Sequence, residues 1–178
     1  MSSMLEDFTR TLLSTHMKLL NNFFFDFVLV VSIFFLDRIS KIYVINFSQN
    51  NLNNNILNSK YLDLTLIWNE GIAFGLMSFD NNHYYNILTG VIIIITLIVL
   101  IIGLKNKGFK RYALLSIFAG SLGNLYDRLF YNAVPDFIDF HVNDFHWFIF
   151  NVADIFISFG VIIMIMTEFF VKKDASDA

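Results

Sequence analysis

The chain has 178 residues, 56% of them hydrophobic and only 15% charged, with a mean hydropathy of +0.61. A soluble domain carries about a quarter charged residues, so this composition points to a membrane protein: one compact bundle, with no second domain of normal size. A net charge of −3 leaves no basic footprint for nucleic acid, and the lack of cysteine removes disulfides, thiolate metal sites and a cysteine nucleophile.

Residues 1–22 precede the first long apolar segment and read as an N-terminal extension. Within it Leu5, Phe8, Leu12, His16 and Leu19 recur at three- and four-residue spacing. An interfacial helix and a frayed tail explain that spacing equally well. A spanning helix needs about 20 mainly apolar residues. The first such segment, 23–47, is apolar through Leu36 and is then broken by Asp37, Arg38 and Lys41. It is too long for a cleaved leader, contains Asp26 and Asp37, and is followed by no small-x-small cleavage site, so it reads as a retained anchor. Asp37 and Lys41 stand one turn apart, the spacing of a helical ion pair. Asp26, near the other end, is expected to snorkel or cap.

An outer β-rich loop is expected over 48–83. Its asparagine-rich start, 48–59, has no apolar period and reads as loop. Leu62, Leu64 and Leu66 then alternate with Asp63 and Thr65, the two-residue period of a strand. Asn69-Glu70-Gly71 supplies turn chemistry, and an apolar run resumes at Ala73-Phe74-Gly75-Leu76. A small sheet on the membrane surface fits this pattern, either accepting an extended peptide by strand addition or covering the helix ends.

The second span, 84–104, is the most purely apolar. The third, 112–131, places Ser116, Gly120, Gly123, Asn124 and Asp127 on one stripe, where small residues let a neighbouring backbone approach. Asp127 has Arg128 beside it, and an adjacent guanidinium favours the ionised anchor over a proton donor. A second outer loop, 132–147, holds Asp136, Asp139, His141 and His146. The two histidines, five apart, read as surface or interface residues and not as metal ligands. The fourth span, 148–171, begins with Asn151 and Asp154, and a short tail follows at 172–178. The expected fold class is therefore an all-α membrane protein: four transmembrane helices, a small extracytoplasmic β-sheet and a second extracytoplasmic loop.

Positive charges set the orientation. Lys105, Lys107, Lys110 and Arg111 crowd the link between the second and third spans, Lys172 and Lys173 follow the fourth, and Arg10 and Lys18 precede the first. With four crossings these regions share the cytoplasmic side, and Lys60 is the only Lys or Arg in the two outer connections. Asp37, Lys41, Asn124, Asp127, Arg128, Asp136, Asn151 and Asp154 then converge on one level near the outer surface. A transport path would need polar groups through the full depth; a one-sided cluster is a site. Carboxylates are costly near hydrocarbon and usually stay there to perform chemistry or to carry an ion; Asp37 and Asp127 read as structural anchors. The residues alone leave open whether Asp136 or Asp127 meets Asp154. They also leave a non-enzymatic alternative, a small membrane transporter or lipid-binding protein. The Gly-x-Gly-Asp and Gly-x-Ser-Gly motifs of other intramembrane proteases and the Glu-x-x-His of carboxylate-bridged metal enzymes are all missing.

Five motifs occur in a familiar order: Asp37-x-x-x-Lys41, Asn69-x-Gly71-x-Ala73-Phe74, Gly120-x-x-Gly123-Asn124-x-x-Asp127-Arg128, Val134-x-Asp136-Phe137-Ile138 and Phe150-Asn151-x-Ala153-Asp154. Together they resemble lipoprotein signal peptidase (signal peptidase II) over about 23–171. The resemblance implies an aspartic endopeptidase of the bacterial inner membrane, with no cofactor or metal. Its substrate would be a diacylglyceryl-modified prolipoprotein cut just before the lipidated cysteine, its surroundings membrane lipids, and its inhibitors globomycin-type cyclic peptides. By resemblance Asp136 and Asp154 are the catalytic pair. Asn124, Arg128 and Asn151 line the pocket, Asn69 and Gly71 belong to the outer-loop motif, and Asp37, Lys41 and Asp127 lend support. Pro135 and Ser121 depart from the residues common in the family at those positions.

Overall fold

The computed structural model describes residues 2–51, 55–71, 82–143 and 145–176. Four helices and four strands follow in the order α1 (Ser2–Asn50), β1 (Asn55–Asn58), β2 (Leu62–Asn69), α2 (Asn82–Lys105), α3 (Gly108–Tyr131), β3 (Val134–Val142), β4 (Phe145–Phe150) and α4 (Val152–Ser176). The apolar run Ala73–Leu76 lies outside the described residues, as do the side chains of the three- and four-spaced series Leu5 to Leu19.

The chain is inside-out relative to a soluble protein. Phe24, Phe35, Ile39, Ile94, Ile98, Ile162 and Met166 are among many large apolar side chains facing outward, while Asp37, Lys41, Asp127 and Asn151 are wholly buried. Apolar exposure on this scale needs an apolar surrounding. Among the described residues, two stretches, Tyr85–Lys105 and Val152–Phe169, are long and apolar enough to cross a membrane.

The small-residue stripe explains how α3 becomes the central helix, packed against α1, α2 and α4. At Gly120 an added Cβ would sit 2.5 Å from the Ala153 carbonyl oxygen, and at Gly160 on α4 it would sit 2.6 Å from that of Ala113. Only glycine allows the two backbones this close. At the bottom of α3, Arg111 forms an ion pair with Asp26 of α1, so Asp26 is buried in a helix-to-helix bridge and does not snorkel or cap.

The four strands form one antiparallel sheet in the order β1-β2-β3-β4, with α2 and α3 inserted between β2 and β3. The alternating Leu62–Leu66 segment is β2, as its period predicts. Both connections expected on the outer side contribute more strand than predicted. Part of the asparagine-rich stretch becomes β1, pairing Leu57 with Leu64 and Asn58 with Asp63. The second loop folds into the β3–β4 hairpin. The fourth helix starts at Val152 instead of 148, because Phe148–Phe150 belong to β4. An aromatic run is equally at home in a strand or a span, and pairing with β3 decided it. Asn132, in the left-handed region (φ 54°), ends α3 and turns the chain into β3. A small core of Val44, Leu66 and Phe137 seats the sheet against the end of α1.

Candidate active site

The site begins with how α4 starts. Asn151 is its cap: the Asn151 side-chain oxygen accepts from the Asp154 amide (3.1 Å), and the Asp154 carboxylate accepts from the Asn151 amide (3.2 Å). This reciprocal pair satisfies two amides that a helix start leaves unpaired, and it fixes the Asp154 side chain at the mouth of the helix. The same Asn151 donates its side-chain amide to Asp136 Oδ1 at 2.6 Å. One residue thus holds both carboxyl groups.

Asp136 reaches this point from β3, where it stands opposite Ile67 of β2. Pro135, opposite Trp68, lies beyond the end of the β4 ladder, which closes at Ile138–Phe150, and so fits a strand that would otherwise reject it. Asn69, at the end of β2, donates to the other oxygen, Asp136 Oδ2, at 2.8 Å, and accepts from the Gly71 amide at 2.9 Å. Burial, and then the nearby Asp154 charge, raise the Asp136 pKa to about 6, against the opposing hydrogen bonds from Asn69 and Asn151. Asp154 also accepts from the Asn124 side chain of α3 at 2.8 Å.

Behind the pair lies a buried ionic cluster. Arg38 grips both oxygens of Asp127 (2.5 and 2.7 Å) and also reaches Asp37 (2.8 Å), with its guanidinium over the Tyr126 ring at 4.7 Å. Lys41 donates to Asp127 (2.7 Å), Asp37 (2.9 Å) and Asn124 (2.8 Å). Asp37 in turn accepts from the Ala153 amide in the first turn of α4 at 3.0 Å. The expected Asp37–Lys41 pair is present, within a four-charge network that also pins the start of α4.

The structure corrects one pairing. Arg128 does not neutralise Asp127, its neighbour in sequence; successive helical residues point about 100° apart. Arg128 donates to the Gly71 carbonyl (2.5 Å) and lies over the Tyr85 ring at 5.7 Å. Asp127 is served by Arg38, which sequence reasoning left out of the site. Its signal was available, since a cation within an apolar run pairs with a carboxylate or with backbone carbonyls.

Asn69, Asn124, Arg128, Asp136, Asn151 and Asp154 border a common cavity of about 30 Å³, enough for one water molecule. Two larger apolar grooves flank α4 and end at Asp154. One, of about 500 Å³, is walled by Ile92, Ile95, Ile157 and Val161 and reaches Asn124 and Arg128. The other, of about 400 Å³, is walled by Phe148, Phe150, Ile155 and Phe159.

Comparison with known proteins identifies the family. The family model for signal peptidase (SPase) II matches residues 29–170. A lipoprotein signal peptidase of Pelagibacter ubique (strain HTCC1062) is 44% identical over 151 residues, covering 85% of this chain and 91% of that protein. One from Anaplasma phagocytophilum (strain HZ) is 41% identical over 136 residues, covering 75% and 84%. Among solved structures, a bacterial membrane enzyme determined by the in meso method at 2.3 Å resolution superposes with a TM-score of 0.65 at 28% identity, covering 85% of this chain and 90% of that one. The chain therefore belongs to the signal peptidase II family of aspartic peptidases, the lipoprotein signal peptidases, and the reading as a non-enzymatic transporter or lipid-binding protein falls.

Proposed function

We propose that Asp136 and Asp154 are the catalytic pair of a peptidase that removes the signal peptide from diacylglyceryl-modified prolipoproteins, cutting just before the lipidated cysteine. The observation that carries this reading is the Asn151 bridge, which holds the buried Asp136 and the half-buried Asp154 carboxyl groups on a cavity of one-water size. Asp127, the rival partner for Asp154, has both oxygens engaged by Arg38 and Lys41. It acts as an anchor.

Two carboxyl groups bonded to one asparagine, with the charge of Asp154 felt at Asp136, share a proton. The charged member takes a proton from the cavity water as it attacks the scissile carbonyl. The protonated member polarises that carbonyl and then protonates the departing amine. The raised Asp136 pKa places proton exchange near the working range of such a pair, whose titration belongs to both groups together. Arg128 Nη1 is buried with no partner among the described residues, and it borders both the cavity and the larger groove. There it is a donor for a substrate carbonyl. The apolar grooves on either side of Asp154 suit the acyl chains and the apolar signal segment. Acyl burial supplies about 0.8 kcal/mol per CH₂ and orients the peptide for attack.

All four helices cross the bacterial inner membrane in this reading, with residues 1–22 and 172–178 cytoplasmic and the sheet and site at the extracytoplasmic face. The distribution of Lys and Arg supports it. Membrane lipids surround α1, α2 and α4, and globomycin-type cyclic peptides occupy the substrate's place. The test is cleavage of a diacylglyceryl-modified precursor peptide by the purified protein, with an unlipidated peptide as control. A single cut before the modified cysteine is expected. Asp136→Asn and Asp154→Asn should each lower turnover by about 10²–10⁴-fold or more while the protein stays folded in the membrane fraction. Normal turnover by either variant would refute the assignment.

A further inference from the structure

The β3–β4 hairpin carries a second cluster, separate from the catalytic pair and unused by it. The hairpin turns at Asn143, which sits in the left-handed region (φ 54°), and the register places His141 directly opposite His146. Their rings stack at 5.0 Å. Asp139, two residues before His141 on the same face of β3, accepts from or shares a proton with His146 Nδ1 at 2.7 Å. One nitrogen from each histidine and one oxygen of Asp139 all lie within 4.8 Å of one another.

The partner count is what singles this cluster out. Asp139 is 7% exposed, and its Oδ1 has no hydrogen-bond partner among the described residues; nor does the buried Nδ1 of His141. A buried carboxylate oxygen left unpaired is costly, and so is an imidazole nitrogen beside it. Asp63 stands across from Asp139 in the β2–β3 register, which puts a second carboxylate on the same face. The cluster is therefore rich in acceptors and poor in donors, the condition a cation relieves.

We infer that Asp139, His141 and His146 form a binding site for a divalent transition-metal ion, with Zn²⁺ the best fit. Two imidazole nitrogens and one carboxylate oxygen are a familiar ligand set for zinc, leaving a fourth position for water. Zinc bonds of about 2.0–2.2 Å in a tetrahedral site hold neighbouring ligand atoms roughly 3.3 Å apart, so the Asp139–His146 pair, now at 2.7 Å, opens while the wider spacings within the 4.8 Å cluster close, and the half-exposed His146 ring at the hairpin lip has the freedom to do so. The ion would replace the proton between His146 and Asp139. It would clamp the two strands three residues from Asp136, so the site is a staple for the hairpin and takes no part in the reaction. It stands independently of the catalytic assignment.

The test uses the full-length, untagged protein in detergent micelles, dialysed against micromolar ZnSO₄ and analysed for bound metal by mass spectrometry. Thermal unfolding is followed with and without zinc. One equivalent of zinc is expected in the wild type, with an unfolding temperature that rises with zinc concentration. His141→Ala and His146→Ala should each weaken binding at least about 100-fold, beyond what loss of a supporting partner costs a metal site, and abolish the zinc-dependent rise. A His16→Ala/His83→Ala variant should bind as the wild type does. His146→Gln, which keeps a polar group at the lip, covers the case in which His146→Ala fails to fold. Absence of stoichiometric zinc in the wild type, or retention of it in a folded His141→Ala/His146→Ala double variant, would overturn the site.

Discussion

Lys41 gives the sharpest test of the buried network. Its amine is wholly buried and serves three acceptors, Asp37, Asp127 and Asn124, at 2.7–2.9 Å. With Asp37, Arg38 and Asp127 it makes a cluster of two positive and two negative charges. Lys41→Met keeps the volume and removes one charge, leaving a buried net −1. Breaking a buried pair from one side costs about 3–5 kcal/mol. The lower end applies here, about 3 kcal/mol, because Asp127 keeps Arg38 and Asp37 keeps both Arg38 and the Ala153 amide. Asp127→Asn added to Lys41→Met restores neutrality, so the double variant should regain about 1 kcal/mol or more over the single one, the coupling expected of groups in one network. Equilibrium unfolding in detergent by denaturant, read by tryptophan fluorescence, measures both. Turnover should fall as well, since Asn124 loses its anchor and carries Asp154 with it. A loss under about 1 kcal/mol for Lys41→Met, or strict additivity in the double variant, would refute the network as drawn.

Three further outcomes follow from the same contacts. Gly120→Ala drives a methyl group against the Ala153 carbonyl 2.5 Å away, so α3 and α4 must separate; unfolding should show a loss of about 1–3 kcal/mol, and a neutral effect would mean the helices are not so close. Asn151→Ala removes both the helix cap and the bridge to Asp136. It should cost about 1 kcal/mol of stability and a much larger share of kcat than of KM, and unchanged kcat would count against the bridge. Asn69 donates to the ionised Asp136 and so holds its pKa down; in Asn69→Ala, Asp136 keeps its proton to higher pH than about 6. The limb of the kcat/KM profile set by the free pair should then move upward in pH, and a downward shift would contradict the hydrogen bond.

The sequence by itself determined the apolar segments, the β2 strand and the level at which the polar residues gather. Each rests on a local rule: hydrocarbon must be covered along the length of a span, a two-residue period suits one face of a sheet, and a carboxylate in lipid needs a reason. It also carried the five motifs by which the family resemblance was read. Tertiary structure decided what pairs with what. Asp127 joined Arg38, 89 positions away, and not its neighbour Arg128, because helical geometry points adjacent side chains apart while helix packing brings distant ones together. The second outer loop became strands because β2 was there to pair with it. That pairing carried Asp136 to the mouth of α4 and set His141 against His146, a contact that a separation of five residues cannot reveal until a left-handed Asn143 reverses the chain.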